Sequence, residues 1–353
     1  MNLQTECDVL IVGAGPAGSS AAKAAASSGA SVVMIDKRSE IGRPVQCAEH
    51  IPRALAMEVP FSREAIAQEV LGTETYIEWE KKVVTDAPGW ILNREVFDRE
   101  LAGAAVESGA KFFPLTRAVD RTTHGVRVSH EGEKKEIACK VIVGADGPAS
   151  TVGEWAGQRN EQFINAIQTT FPLAEPLQYC QVHFTREFEG GYGWVFPRGE
   201  CANVGIGVVQ GRSNLKELLD GFLGRLRDDR VVCGEEIRST AGLIPVGGPL
   251  ETVAGDTLLV GDAAGHTHPV SGAGIPQAVV CGKMAGRAAA RAALADDLTV
   301  LPGYKEEWTS LYGSALQMAR KRREEMERYW KARDFTALIK RSWIAYKDYY
   351  RTA

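Results

Sequence analysis

A chain of 353 residues with a formal net charge of −4, 44% hydrophobic and 24% charged residues and 37 glycines can bury a core large enough for two domains, or for one domain with an insertion. The charge gives no general attraction to nucleic acid, and no apolar run approaches the ~20 residues of a membrane span. Seven cysteines, at 7, 47, 139, 180, 201, 233 and 281 and without CxxC spacing, argue against a disulfide framework or structural zinc and for a reducing cytoplasm. The N-terminus does not read as a secretory leader, because its first apolar stretch is short, follows Glu6 and Asp8, and runs into glycines.

Residues 9–12 read as an apolar strand entering Gly13-Ala14-Gly15-Pro16-Ala17-Gly18, followed by an alanine-rich helix and a second strand over 31–35 that ends at Asp36 and Lys37. This is a βαβ unit for a dinucleotide. Gly13 allows the tight turn, Gly15 lets backbone approach a pyrophosphate, Gly18 allows close helix–strand packing, and Asp36 is placed for a ribose hydroxyl. Next comes EIGRPVQCAEHIP (40–52), with Cys47. WILNREVFDRELAGAAVESGA (90–110) sets Arg94 before a helix that stops at Gly109. Another apolar strand, in KVIVGADGPAS (140–150), ends at Asp146-Gly147.

About a hundred residues separate this from a third strand and glycine loop, GDTLLVGDAAGHTHPVSGAG (255–274), which carries Asp262, Gly272, Ala273 and Gly274. Inside that interval, GYGWVFPRGECANVG (191–205) alternates so that Tyr192, Trp194 and Phe196 share one strand face. The face is either ordinary core or the wall of an apolar site. His266 and His268 form a His-x-His pair without a third histidine or carboxylate nearby, which suits a cofactor loop better than a metal. From Arg320 onward there are eleven Lys/Arg against five Asp/Glu, and Phe335, Leu338, Ile339, Trp343, Tyr346 and Tyr350 recur near helical spacing. A basic amphipathic helix of this kind either packs on the body or makes a peripheral membrane contact.

The three glycine stretches, in this order, resemble the FAD-dependent reductases and hydroxylases of the para-hydroxybenzoate hydroxylase type. The resemblance implies an α/β fold: a Rossmann-like FAD-binding domain of the glutathione reductase type from 1–60, 90–150 and 250–295. An inserted antiparallel-sheet substrate domain from 61–89 and 151–249 and a C-terminal helical segment over 300–353 complete it. It also implies FAD contacts at Gly13, Gly15, Ala17, Gly18, Asp36, Lys37, Cys47, Arg94, Asp146, Asp262 and 272–274. The pattern Tyr192, Trp194, Phe196, Pro197, Val204, Gly205 is similar to the substrate-domain signature of the geranylgeranyl reductase family. Pro44, Val45, Cys47 and Glu49 match a second family mark in which Ala48 replaces a glycine.

That resemblance implies reduction of carbon–carbon double bonds in an isoprenoid lipid by hydride from reduced flavin. Tyr192, Trp194, Phe196, Pro197 and Gly205 would then bind substrate, with Gly205 and Gly207 leaving width for the chain. Cys47, Tyr192, His266 and an ordered water are the candidates for the proton source. One GxGxxG motif leaves NADPH or ferredoxin to act as a transient electron donor. A flavin monooxygenase, hydroxylase or halogenase on the same scaffold and a non-catalytic prenyl-binding protein are the competing readings.

Overall fold

The computed structural model describes residues 3–209, 211 and 214–351. Two eight-stranded sheets organise the chain. The first contains β1 (Glu6–Val12), β2 (Val32–Ile35), β6 (Lys111–Phe113), β7 (Thr116–Arg121), β8 (Gly125–His130), β9 (Glu133–Gly144), β15 (Val253–Ala254) and β16 (Thr257–Leu259). The second contains β3 (His50–Pro52), β4 (Ile66–Ile77), β5 (Glu80–Leu92), β10 (Phe163–Pro172), β11 (Tyr179–Phe184), β12 (Tyr192–Arg198), β13 (Cys201–Val209) and β14 (Arg238–Pro245). The helices are α1 (Pro16–Ser27), α2 (Arg94–Glu107), α3 (Thr151–Trp155), α4 (Leu215–Asp228), α5 (Ile275–Ala295), α6 (Pro302–Trp308), α7 (Ser314–Arg328) and α8 (Phe335–Ser342).

In the first sheet, β1 lies between β2 and β9 in parallel register, as the βαβ reading requires. Its apolar run is continuous because both faces are covered. Val9 and Ile11 pack with α1 and α5, whereas Leu10 and Val12 pack with the β7–β8 hairpin. The two helices approach closely through glycine. A Cβ on Gly282 or Gly286 would lie 2.4 Å from the Ala17 carbonyl oxygen or 2.1 Å from that of Ala21.

The second sheet runs β14-β10-β13-β12-β11-β4-β5-β3. It is mixed rather than antiparallel, since β11 pairs with β4 in parallel. It also reaches outside the expected intervals: β3 and the end of β5 belong to it, while α3 and Asn160 pack on the dinucleotide side, where Asn160 Nδ2 donates to Pro148 and Asp262 carbonyls. One face is sealed by α4, whose Leu219, Phe222, Leu223 and Leu226 meet Val195, Val204, Ile206 and Val208.

The C-terminal segment covers part of the other face. The helix ends at Ser342, and Phe335, Leu338, Ile339 and Trp343 pack on Ile77, Val182 and Phe184. Trp343 Nε1 donates to Thr75 Oγ1 at 3.1 Å, and its ring lies 5.1 Å from Phe184 and 5.5 Å from Tyr192. Of the two readings of this apolar face the structure shows packing on the body; of the set only Tyr350, 62% exposed, faces outward. Among the described residues no helix is long and apolar enough to cross a membrane.

Gly286→Val should force α5 off α1 and destabilise the protein by about 1–3 kcal/mol, the usual range for overpacking. A lowered urea midpoint together with reduced flavin content after purification checks this, because α1 also carries the glycine loop.

Candidate active site

The glycine loop is built as its residue types demand. Gly13 has φ +103°, and a Cβ there would sit 2.3 Å from the Ala145 carbonyl oxygen; one on Gly18 would sit 1.8 Å from that of Gly13. Gly15 differs, with nothing within 4 Å of its Cβ position. It caps α1 and presents backbone and helix N-terminus to open space, which fits a pyrophosphate. Asp36 directly follows β2 and accepts from the N–H groups of Ala14 (2.9 Å) and Arg38 (2.8 Å), which fixes its carboxylate against the loop. Ala17 lies under Gly261 of the third stretch, and Lys37 is exposed.

The other acids divide in role. Asp146 accepts from Ser150 Oγ and from the N–H groups of Thr151 (2.7 Å) and Val152 (3.2 Å), so it holds the start of α3 instead of pointing a free carboxylate at a cofactor. Asp262 accepts from Thr267 Oγ1 at 2.8 Å, and burial raises its pKa while Arg94 works against the rise. Arg94 makes a two-pronged pair with Asp98, at 2.7 and 2.8 Å. Gly272, with φ +66°, and Gly274, the N-cap of α5, bound the loop that follows; Ala273 accepts from the His268 N–H at 2.9 Å. The open Gly15 edge, Asp36 and the Asp262–Arg94 corner form a cradle that suits FAD.

Beside this cradle lies the Cys47 loop. The Cys47 thiol is half-buried, its sulfur accepts from the Glu49 N–H at 3.2 Å, and burial pushes its pKa up against the opposing charge of Arg94. Ala48 does not carry the backbone strain expected from its replacement of glycine. The positive φ falls at Glu49, at 71°. Glu49 is fully buried, accepts from Asn203 Nδ2 at 2.6 Å and from the Arg94 N–H at 3.2 Å, and pairs at 3.6 Å with both Arg198 and Arg238.

The aromatic strand splits between wall and core. Register places Tyr192, Trp194 and Phe196 opposite Gly207, Gly205 and Asn203 on one face. Tyr192 and Trp194 line a narrow cavity with Ile164, Gly207, Ile244 and Arg323, closed by Val270 and Gly272 of the third glycine loop. Phe196 instead packs among Val70, Ile91 and Cys180, with its ring 5.9 Å from that of His50. Pro197 alternates to the opposite face with Val195 and is not part of the wall. Gly205 leaves no room for a ligand, because a Cβ there would come within 2.3 Å of the Trp194 indole; its missing side chain seats that ring.

Three contacts fix the loop over this cavity. Tyr192 OH donates to the Ser271 carbonyl at 2.5 Å, His268 Nδ1 accepts from the Ser271 N–H at 3.1 Å, and His268 Nε2 lies 3.3 Å from Tyr349 OH. The Tyr192 proton is thus engaged. His266 is buried against Trp308, with ring centroids 4.7 Å apart, and neither of its nitrogens has a partner among the described residues. Burial pulls its pKa down to about 3, so it carries no imidazolium proton to give near neutrality.

Sequence reasoning missed Gln168, Asn203, Arg198, Arg238 and Arg323. Gln168 Nε2 donates to the Cys47 carbonyl at 3.0 Å, and its Oε1 accepts from Trp194 Nε1 at 2.9 Å. A signal existed: Gln168, Thr169 and Thr170 interrupt the apolar residues of β10, and polar side chains buried in a strand call for partners.

Comparison with known proteins agrees with this geometry. Residues 6–188 match an FAD binding domain and residues 164–243 a geranylgeranyl reductase catalytic domain. A digeranylgeranylglycerophospholipid reductase of Methanothrix thermoacetophila is 38% identical over 332 residues, 88% of this chain and 85% of that one. A geranylgeranyl bacteriochlorophyll reductase-like protein from Thermoplasma acidophilum superposes with a TM-score of 0.86 at 29% identity, covering 98% of this chain and 92% of that one. A flavin-dependent brominase superposes at 0.71 with 17% identity, covering 96% and 91%, a likeness of fold alone.

Burial holds His50 and His268 at about 4 and His183 and His266 at about 3. Each lies below the unfolded value near 6.5, so the unfolded chain binds protons first. Stability should therefore fall as pH drops from about 6.5 toward 4. Urea midpoints at pH 7 and pH 5 check this, and His266→Phe should narrow the difference between them. Glu49→Gln should cost about 3 kcal/mol, the low end for breaking a buried pair because Arg238 is partly solvated, read from the same denaturation curves.

Proposed function

The chain belongs to the geranylgeranyl reductase family of FAD-dependent oxidoreductases, and from that premise we propose that it saturates double bonds in the geranylgeranyl chains of a glycerophospholipid. The observation that carries this reading is the mainly apolar lining of Tyr192, Trp194, Ile164, Gly207 and Ile244, a cavity of about 30 Å³ closed by the 270–272 loop that borders the cofactor cradle and has to open to admit an isoprenoid. FAD, when bound and reduced, supplies the hydride that such a reaction needs.

The chain's own residues supply position, dryness and a proton. Each buried CH₂ contributes ~0.8 kcal/mol, so an isoprenoid binds along this wall with few polar contacts. An isolated alkene has no carbonyl to polarise, which makes a placed proton and an excluded solvent the main tasks of the protein. Cys47 fits the first task. Its raised pKa keeps the thiol protonated, and because its sulfur already accepts from Glu49 N–H, the S–H is left to point elsewhere. His266 is neutral and sealed, and the Tyr192 hydroxyl is tied to Ser271. Tyr192 then serves mainly to hold the loop. NADPH or ferredoxin, docking transiently, is the electron donor in this reading.

A proton donor is worth roughly 10²–10⁴-fold in rate. Cys47→Ala should slow single-turnover reduction of a digeranylgeranyl lipid by about 10²-fold, with Tyr192→Phe losing less than about tenfold. Mass spectrometry of the lipid after anaerobic incubation with chemically reduced enzyme tests the function itself: two hydrogens gained per reduced bond support it, and unaltered lipid counts against it.

A further inference from the structure

Arg323, on α7, is 2% exposed. Its Nε–H donates to Glu327 at 2.5 Å, and one terminal nitrogen reaches the Pro269 carbonyl at 3.4 Å. The other, Nη2, is buried without a hydrogen-bond partner among the described residues. The side chain lines the apolar cavity beside Tyr192 and Trp194. Gly190, at φ +68°, turns next to it, and even a Cβ at that position would approach Nη2 to 3.4 Å.

A guanidinium with unmade donors in an apolar pocket is costly, and a leucine or methionine would fill the same space without that penalty. Glu327 balances the charge from the solvent side, where its side chain is 37% exposed. The inward donors are left for an acceptor that arrives with a ligand. A hydrocarbon tail has none, but an oxyanion at the head of an isoprenoid does, and the Nη2 N–H groups can give its oxygens charge-assisted hydrogen bonds while Nε and Nη1 stay on Glu327 and Pro269.

We propose that Arg323 anchors a phosphate-class oxyanion carried at the head of the isoprenoid substrate. The proposal rests on the reading of the cavity as the isoprenoid site. Because Arg323 also touches Pro269, the anchor stands at a fixed place beside the loop over the cofactor cradle, and a head held there determines which double bond lies against that loop.

Calorimetric titration of the oxidised holoenzyme tests this, with geranylgeranyl diphosphate, geranylgeraniol and inorganic pyrophosphate as probes. Wild-type protein should bind the lipid diphosphate at least about tenfold more tightly than the alcohol, and pyrophosphate alone far more weakly than the lipid diphosphate. Arg323→Gln should reduce the diphosphate-to-alcohol ratio to within about twofold, and Arg323→Lys should restore part of it. An unchanged ratio in Arg323→Gln, or equal weakening of both lipids, overturns the anchor and leaves Arg323 as a brace for the 266–274 loop. Should Arg323→Gln not fold, the wild-type ratio still decides, since a ratio near one overturns the proposal outright. Pyrophosphate binding as tight as the lipid diphosphate overturns it too, by pointing to a free anion. Reduction is scored separately on the same wild-type protein: tight, head-dependent binding with no product defeats the reductase reading and spares the anchor.

Discussion

Gln168 uses both ends of one buried amide. Its Oε1 accepts from the indole N–H of Trp194, and its Nε2–H donates to the Cys47 carbonyl. The cavity wall on the second sheet and the thiol on the loop beside the cofactor cradle are thereby set against each other through a single planar group. Loss of either bond strands a buried polar atom, at about 1–3 kcal/mol. Trp194 can take that position only because Gly205, directly across on β13, has no side chain. The other fixings, Tyr192 to Ser271, His268 to Tyr349 and Arg323 to Pro269, hold the opposite rim.

The same sheet face changes character along its length. At one end Glu49, Asn203, Arg198 and Arg238 form a buried polar cluster, tied to the row by Thr170. At the other, Tyr192, Gly207, Ile164 and Ile244 present hydrocarbon. Between them sit Trp194, Gln168 and the Cys47 loop. The polar cluster fixes the left-handed turn at Glu49. The brominase-like fold shared by this scaffold does not by itself choose between an alkene and oxygen as oxidant. Membership of the geranylgeranyl reductase family is what favours the alkene.

The glycine stretches were legible because Gly13 and Gly18 leave no space for a Cβ, while Gly15 faces the open space that the dinucleotide motif keeps for a pyrophosphate. The acids were less so. Asp36 and Asp262 stand where the strand ends place them, but the turn after Asp146 folds its carboxylate back onto α3, and no local pattern announces that choice. Alternation correctly put three aromatics on one face yet could not say that Phe196 would find core partners while Tyr192 found a cavity. Glu49 and Asn203 lie 154 residues apart in the chain, so their pairing leaves no periodic trace. Arg323 sits in a helix rich in Arg and Glu, where one inward-facing cation looks like its solvated neighbours. The C-terminal aromatics leave packing and membrane contact both open in the sequence, because nothing local shows that Phe184 and Val182 cover them.

In the proposed reaction an alkene, held along the Tyr192–Trp194 wall, accepts the flavin's electrons. Stopped-flow absorbance of the pre-reduced protein mixed with a digeranylgeranyl lipid under strict exclusion of oxygen measures that directly. Return of the oxidised flavin spectrum on mixing, slowed by Trp194→Ala, is the result predicted. A spectrum that stays reduced until air is admitted would contradict it and turn the cavity over to oxygen chemistry.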